Sequence, residues 1–288
     1  AGTASSPAPG AKASATPATG GSTYDESKIK TLSSLEHIRL RSGMYIGRLG
    51  DGSNPNDGIY VLLKEVVDNS VDEFIMGSGR RIDITLPGSR VTIRDFGRGI
   101  PLGKVVDCVS IINTGAKYNT DVFQFSVGLN GVGTKAVNAL SRHFEVCSYR
   151  EGKYSRASFS EGKLLSQEQG DQAKLASVAW PVGSKDAPGG LAKAPVTDAN
   201  AATLAAKGRF PDGTIVVFDP DPGIFADFKF ELEYIEERLW NYAYLNQGLT
   251  LTLDANDGKG LRTFESKRGL FDLLEAEVGG VRPDGSSG

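Results

Sequence analysis

The sequence predicts a fold that mixes helices with a sheet, and three segments predict it. Residues 58 to 76 carry a helical period, residues 82 to 95 alternate like a strand hairpin, and residues 126 to 140 pass from a glycine-rich loop into a second helical pattern. Neither glycine cluster forms Gly-x-Gly-x-x-Gly in a strand–turn–helix unit, and no Gly-Lys-Ser/Thr follows. Rossmann and P-loop architectures are therefore disfavoured.

In chain order, residues 1 to 22 come first and are almost wholly Ala, Gly, Ser, Thr and Pro, with Lys12 the one charge. Such a stretch buries too little apolar area to offset its ordering entropy and reads as a disordered tail. It has no basic segment followed by an apolar run, so it is not a secretory signal. In the first helical pattern Ile59, Leu63, Val66, Val67, Ser70 and Phe74 share one side. Glu65, Asn69 and Asp72 fall together on the opposite side, within roughly 60° of one another. Gly77-Ser-Gly79 ends the helix.

The hairpin follows, with Ile82, Ile84 and Leu86, a Pro-Gly-Ser turn, then Val91, Ile93 and Asp95. Parity puts Asp95 on the Val91/Ile93 side and Thr92 with Arg94 on the other. A carboxylate at the end of an apolar face is costly unless something donates to it. Residues 167 to 207, rich in Ala, Gly, Lys and Pro, read as a solvated low-complexity insertion between two strands. Residues 279 to 288 read as a loop-like end, and the Ala1 start and this end suggest a fragment or a processed chain.

At 288 residues the chain has ample size for a core. A net charge of −3 gives no bulk basic field for nucleic acid. Two cysteines, Cys108 and Cys147, are too few for a disulfide framework and lack metal spacing, and two histidines disfavour a His-rich metal site. No apolar run approaches the ~18 residues that span a bilayer. A reduced, cytoplasmic setting without a membrane is the default expectation.

Each chemical motif alone has a plain structural reading. The Glu65/Asn69/Asp72 triad suits a solvated helix face, Asp95 suits a turn before Gly97, and Gly128-Leu-Asn-Gly-Val-Gly133 suits a flexible loop. Together, in this order, they look like an ATP site that is not a Walker-type P-loop. The loop glycines let backbone approach phosphate, and the following helix offers its N-terminal amides.

The runs Leu35-Glu-His-Ile-Arg-Leu-Arg-Ser-Gly-Met-Tyr-Ile-Gly47, Glu65-Val-Val-Asp-Asn-Ser-Val-Asp-Glu73, Asp95-Phe-Gly-Arg-Gly-Ile-Pro101 and Gly128 to Ser141 resemble the ATPase region of bacterial type IIA DNA topoisomerase B subunits. That family comprises the B subunits of gyrase and of topoisomerase IV, within the GHKL superfamily. The resemblance covers roughly Tyr24 to Leu274 apart from the insertion, and Met44-Tyr-Ile-Gly47 is its topoisomerase-specific part. It implies an α+β, two-layer GHKL (Bergerat) sandwich spanning residues 23 to 278, with helices on one face of a mixed, mostly antiparallel sheet.

The resemblance also implies roles. Glu65 matches the general base that activates water, and Asn69 the ligand of Mg2+, beside Asp72. Asp95 matches the residue that binds adenine. An ionised carboxylate only accepts hydrogen bonds, so it suits the adenine 6-amino group and rejects a 6-oxo group. Gly99 and Ile100 line the nucleotide, and Thr214 supports Asp95 and adenine. Lys117 matches a phosphate-side lysine, while Leu129, Asn130, Gly131, Val132 and Gly133 match the lid over the phosphates. Arg98 and Glu73 match a pair at the mouth of the adenine pocket, and Arg150 matches a rim residue. Tyr24, in an N-terminal arm, matches a residue reaching ATP in a second copy of the subunit on dimerisation, and Tyr45 matches a contact in cis.

Three positions depart from the family. Ser42 replaces a usual Pro, Asn130 a common His, and Val127 the first of two lid glycines. The family's transducer domain with its γ-phosphate lysine, its DNA-cleavage metal domain and its A-type subunit lie outside this chain; through them the resemblance implies duplex DNA as a partner. Three functions follow as expectations. The first is the ATPase module that drives strand passage, the second a nucleotide-binding module with negligible turnover, and the third a MutL-like repair ATPase, which Met44-Tyr-Ile-Gly47 disfavours. A histidine kinase is disfavoured because His37 and His143 lie in no phosphoacceptor helix pattern.

Overall fold

Apolar residues at every second position of the strands build one continuous face, and that face organises the molecule. The computed structural model describes residue 2 and residues 32–114, 131–172 and 211–286. Residues Leu32–Gly288 form one compact unit, and Ala1–Thr31, which includes Tyr24 and the predicted tail, is a separate one outside the described residues apart from Gly2.

The described helices are α1 (Ser34–Leu40), α2 (Gly43–Ile46), α3 (Gly58–Ile75), α4 (Val105–Ser110), α5 (Gly133–Ala139), α6 (Leu232–Leu245) and α7 (Leu270–Gly279). The strands are β1 (Arg81–Thr85), β2 (Val91–Asp95), β3 (Ser141–Arg150), β4 (Lys153–Ser160), β5 (Lys163–Asp171), β6 (Gly213–Pro220), β7 (Thr250–Asp254) and β8 (Arg262–Glu265). They form an eight-stranded sheet in the order β5-β4-β3-β6-β2-β1-β7-β8. All pairings are antiparallel except β1 with β7. The α+β sandwich with a mixed, mostly antiparallel sheet is the architecture observed.

Register shows how the face is made. Leu253, Ile84, Ile93, Val216, Val146 and Ala157 are cross-strand neighbours over six strands, and all are buried in the main core. Helices α1, α3, α4, α5, α6 and α7 bury their apolar residues in that same core, so they cover one face. A smaller cluster of Cys147, Tyr149, Tyr154, Ile215 and Val217 occupies the opposite face.

Helix α3 is more enclosed than its sequence pattern suggests. Leu62, Asp68, Val71 and Asp72 are buried along with Ile59, Leu63, Val66, Val67 and Ser70, whereas Phe74 is half-buried. Contacts come from both the sheet and neighbouring helices, so a one-sided period underestimates burial. At its start the buried Asp57 carboxylate accepts from the backbone N–H groups of Gly52 and Asn54 and pairs with Arg48. The hairpin is as expected, Ile84 facing Ile93 and Ile82 facing Asp95.

One boundary is corrected. The predicted insertion begins at Gln167, but residues 167–171 continue β5, paired with β4 from Ala157↔Gln167 to Lys153↔Asp171. Regular ladder bonding along β4 carries a polar sequence as an edge strand, where composition alone suggests a loop. Residues 173–207 of that stretch lie outside the described residues. No helix among the described residues is long and apolar enough to cross a membrane.

Burial at the centre of this face sets a test. Ile93→Ala, at a position 1% exposed, should lower unfolding free energy by about 2–5 kcal/mol in urea denaturation. Leu164→Ala, on the exposed edge strand, should change it by no more than about 0.5 kcal/mol.

Candidate functional site

Two residues along β2, β6 and β3 the apolar face turns polar. Beside the row of Leu253, Ile84, Ile93, Val216 and Val146 runs a second one on the same side: Leu251, Ile82, Asp95, Thr214 and Ser148. Asp95 thus ends the Val91/Ile93 side of β2, as parity predicts, and only 7% of its surface is exposed.

Two backbone N–H groups donate to its carboxylate, Gly97 at 2.9 Å and Thr214 at 3.1 Å, and both reach Oδ1. Among the described residues no donor reaches Oδ2. Burial pushes the carboxyl up to about 6, against the pull of Arg94 and the two N–H groups. Thr214 therefore supports Asp95 through its main chain.

The loop after β2 is held against the neighbouring strand and against α3. At Gly99, φ is +74°, and a Cβ would stand 2.6 Å from the Tyr149 carbonyl oxygen, so a side chain has neither the conformation nor the space. The Ser148 hydroxyl donates to the Ile100 carbonyl at 2.7 Å, and the Arg150 guanidinium lies 3.5 Å from the Gly99 carbonyl. The Arg98 guanidinium grips both oxygens of Glu73, at 3.0 and 2.9 Å, and the Arg98 backbone N–H adds a bond of 2.9 Å. The predicted Arg98–Glu73 pair is formed.

At the other end of the site α3 meets α5. The Asn69 amide donates to the Glu65 carbonyl at 2.7 Å and to the Thr134 hydroxyl at 2.8 Å. These two bonds fix the rotation of the amide and turn its oxygen edge away from both acceptors. A Cβ on Gly133 would lie 1.8 Å from Glu65 Oε2, so the start of α5 rests directly on the Glu65 carboxylate. The amide oxygen of Asn69 is a hard, neutral ligand atom of the kind that suits a divalent cation sharing its shell with phosphate and water, and Glu65 stands one helical turn away.

The remaining predicted residues divide. Asp72 is buried within α3, Gly131 has φ +59°, and Val132 is half-buried and packs on the core ahead of α5. Tyr45, on α2, hydrogen-bonds His37 Nδ1 at 2.8 Å and meets its ring edge-on. Lys117, Val127, Leu129, Asn130 and Tyr24 lie outside the described residues.

Sequence reasoning misses four contributors. Thr134 and Ser148 escape it because their partners lie 65 and 48 residues away. Lys135, one residue on, is buried and donates to the Thr114 carbonyl. Asp68, buried behind Glu65, bonds Lys64 and Tyr242. Inward parity on β3 could have found Ser148; no local signal marks the others.

Residues 54–165 match the family described as histidine kinase-, DNA gyrase B-, and HSP90-like ATPase. The chain is 52% identical over 255 residues to the B subunit of DNA topoisomerase 4 from Borreliella burgdorferi, covering 88% of this chain and 36% of that protein. It is 32% identical over 261 residues to the B subunit of DNA gyrase from Thermotoga maritima, covering 88% and 35%. Among solved structures it is similar to the 43K ATPase domain of Thermus thermophilus gyrase B in complex with an aminocoumarin, with a TM-score of 0.60 and 28% identity over 86% of this chain and 56% of that one. The chain spans about a third of the length of these curated relatives.

The buried carboxylate should leave a signature in stability. Its folded value lies above the ordinary 3.8, so its contribution is fully present below 3.8 and is lost as pH rises through about 6. Asp95→Asn lacks that loss. Urea denaturation at pH 4 and pH 7.5 should show the variant gaining on the parent by up to about 3 kcal/mol at the higher pH. A gap that stays constant with pH would count against a desolvated Asp95.

Proposed function

Because residues 54–165 belong to the histidine kinase-, DNA gyrase B- and HSP90-like ATPase family, we propose that this chain is the ATP-binding and ATP-hydrolysing module of a bacterial type IIA DNA topoisomerase B subunit. The observation that carries the nucleotide reading is the buried Asp95, whose donors among the described residues all serve one oxygen. The other oxygen accepts the adenine 6-amino group in this reading. A 6-oxo base there would set acceptor against acceptor, at about 1–3 kcal/mol.

Gly99 and Ile100 line the base, and Arg98 with Glu73 holds the mouth of the pocket. The phosphates run along α3 towards Glu65, eight residues and so about 12 Å from Glu73. There Glu65 takes a proton from the attacking water. Asn69, beside Asp72, would hold Mg2+ by its amide oxygen, and the ion would supply charge neutralisation at the phosphate oxygens. Lys117 and residues Leu129 to Gly133 close on the phosphates.

In the intact protein, ATP binding drives association with a second copy, with Tyr24 entering the other copy's site and Tyr45 serving its own. The resulting clamp acts with an A-type subunit on duplex DNA in the cytoplasm, and hydrolysis powers strand passage. A second reading rests on the chain spanning 36% of its Borreliella relative: the isolated chain binds nucleotide with negligible turnover.

Binding and steady-state turnover of ATP, measured side by side, separate these readings. Glu65→Ala should retain binding and lose about 10²-fold or more in turnover. If it loses binding and keeps turnover, Glu65 is not the base. Asp95→Asn should weaken ADP binding by about 10- to 100-fold. In the parent chain ADP affinity should fall by about tenfold per pH unit below about 6, a slope absent in Asp95→Asn.

The contact between α5 and Glu65 supplies a separate test. Gly133→Ala forces the carboxylate aside. Turnover should drop by about 10²-fold with ADP affinity retained. Turnover equal to the parent's would show that the Gly133 contact does not set the position of Glu65 in the reaction.

A further inference from the structure

We propose that Thr134 is a positioning residue that sets the divalent-cation dependence of nucleotide binding by fixing which edge of the Asn69 amide faces the phosphates. The inference rests on the reading of Asn69 as a Mg2+ ligand and extends it to a residue with no contact to the ion.

A primary amide has two chemically opposite edges. Its oxygen ligates a cation, whereas its NH2 repels a cation and donates directly to phosphate oxygens. A half-turn about the last side-chain bond exchanges the two with little change in shape. Something must therefore choose. In this protein both N–H groups of Asn69 have acceptors, the Glu65 carbonyl at 2.7 Å on its own helix and the Thr134 hydroxyl at 2.8 Å on α5.

The first acceptor is part of the backbone of α3, so side-chain replacement leaves it in place. The second is a side-chain oxygen, which a substitution can remove cleanly. Its placement is rigid. The adjacent Gly133 lies against the Glu65 carboxylate, and the next residue, Lys135, is buried with its ammonium on the Thr114 carbonyl. Thr134 therefore cannot drift from Asn69 without moving two buried contacts. Side chains that orient a metal ligand through its other edge commonly change metal affinity by 10- to 100-fold when removed.

Removing the acceptor frees one N–H, so a half-turn that presents NH2 to phosphate no longer breaks that bond. The consequence is directional: metal-assisted binding weakens, while metal-free binding is kept or strengthened. A residue needed only for folding would weaken both together.

The test uses the whole chain and ADP, titrated calorimetrically with Mg2+ and again with EDTA, for the parent, Thr134→Val and Thr134→Ser. Valine preserves the shape of threonine and removes the acceptor; serine retains it. The ratio of the two affinities should fall about tenfold in Thr134→Val and return in Thr134→Ser. Mn2+ in place of Mg2+ gives a spectroscopic check, since the resonance of protein-bound Mn2+–ADP should change in the valine variant and not in the serine variant.

An unchanged ratio in Thr134→Val would overturn the inference while leaving the nucleotide reading intact. Equal weakening with and without metal would also overturn it, in favour of a structural role. If the parent chain binds no ADP at all, the underlying reading fails and this inference falls with it. If the parent binds ADP equally with and without metal, Asn69 is not a cation ligand and the inference again falls.

Discussion

Helix α3 is the part to which every other piece of the site is tied. It lies on the sheet beside α5, and its polar residues face contacts at both ends of the cleft. Near its middle, Asn69 bonds Thr134 and Glu65 meets Gly133. Towards its end, Glu73 holds Arg98. The loop after β2 and the start of α5 are each fastened to this one helix, so the distance between them is the spacing of α3 residues. A rise of about 1.5 Å per residue thus becomes the ruler of the site.

The strength of those ties differs in kind. The Arg98 guanidinium is partly exposed, so its Coulombic attraction to Glu73 is worth about 1 kcal/mol or less. What it gains from the bidentate grip and the added backbone bond is geometry, since three bonds leave the loop after β2 little freedom. On the other flank Asp68 is buried and bonds both Lys64 and Tyr242. Burial, then the neighbouring carboxylate, raises the phenol above its usual range, so the Tyr242 proton stays in that bond. Helix α6 is thereby locked to the back of the helix that carries Glu65.

Much of this is legible in the sequence because it follows from short periods. Alternation in residues 82–95 locates Asp95 on the core side, and the register bears that out, with Asp95 opposite Ile82 and Ile93 opposite Val216. Helical spacing locates Glu65, Asn69 and Asp72 on one helix. The failures share a cause, which is distance along the chain. Asn69 finds Thr134 across 65 residues, and Ser148 finds Ile100 across 48. Composition misjudges residues 167–171, since a polar edge strand is held by main-chain bonds that side-chain identity does not report.

The pairing of Arg94 with Asp95 shows how a buried acceptor can be kept charged without being used up. Neighbours in sequence on a strand point to opposite faces, so the two side chains stand on either side of the sheet. Arg94 is held on the far side, stacked 4.9 Å from the Phe96 ring centre and 5.0 Å from that of Tyr149, with Nη2 on the Pro211 carbonyl. From there its charge offsets part of the desolvation that raises Asp95, while the hydrogen-bond donors on Asp95 are backbone N–H groups at one oxygen. Had the guanidinium shared the Asp95 face, a bidentate pair would have filled both oxygens and closed the site to a ligand's amino group. A charge acting through the sheet lowers the cost of ionisation and leaves an acceptor open. With Asp95 at about 6, that balance keeps the carboxylate ionised at neutral pH by a margin of only about one unit. The sheet therefore does more than carry the carboxylate: its two-sidedness is what lets a buried charge remain available for recognition.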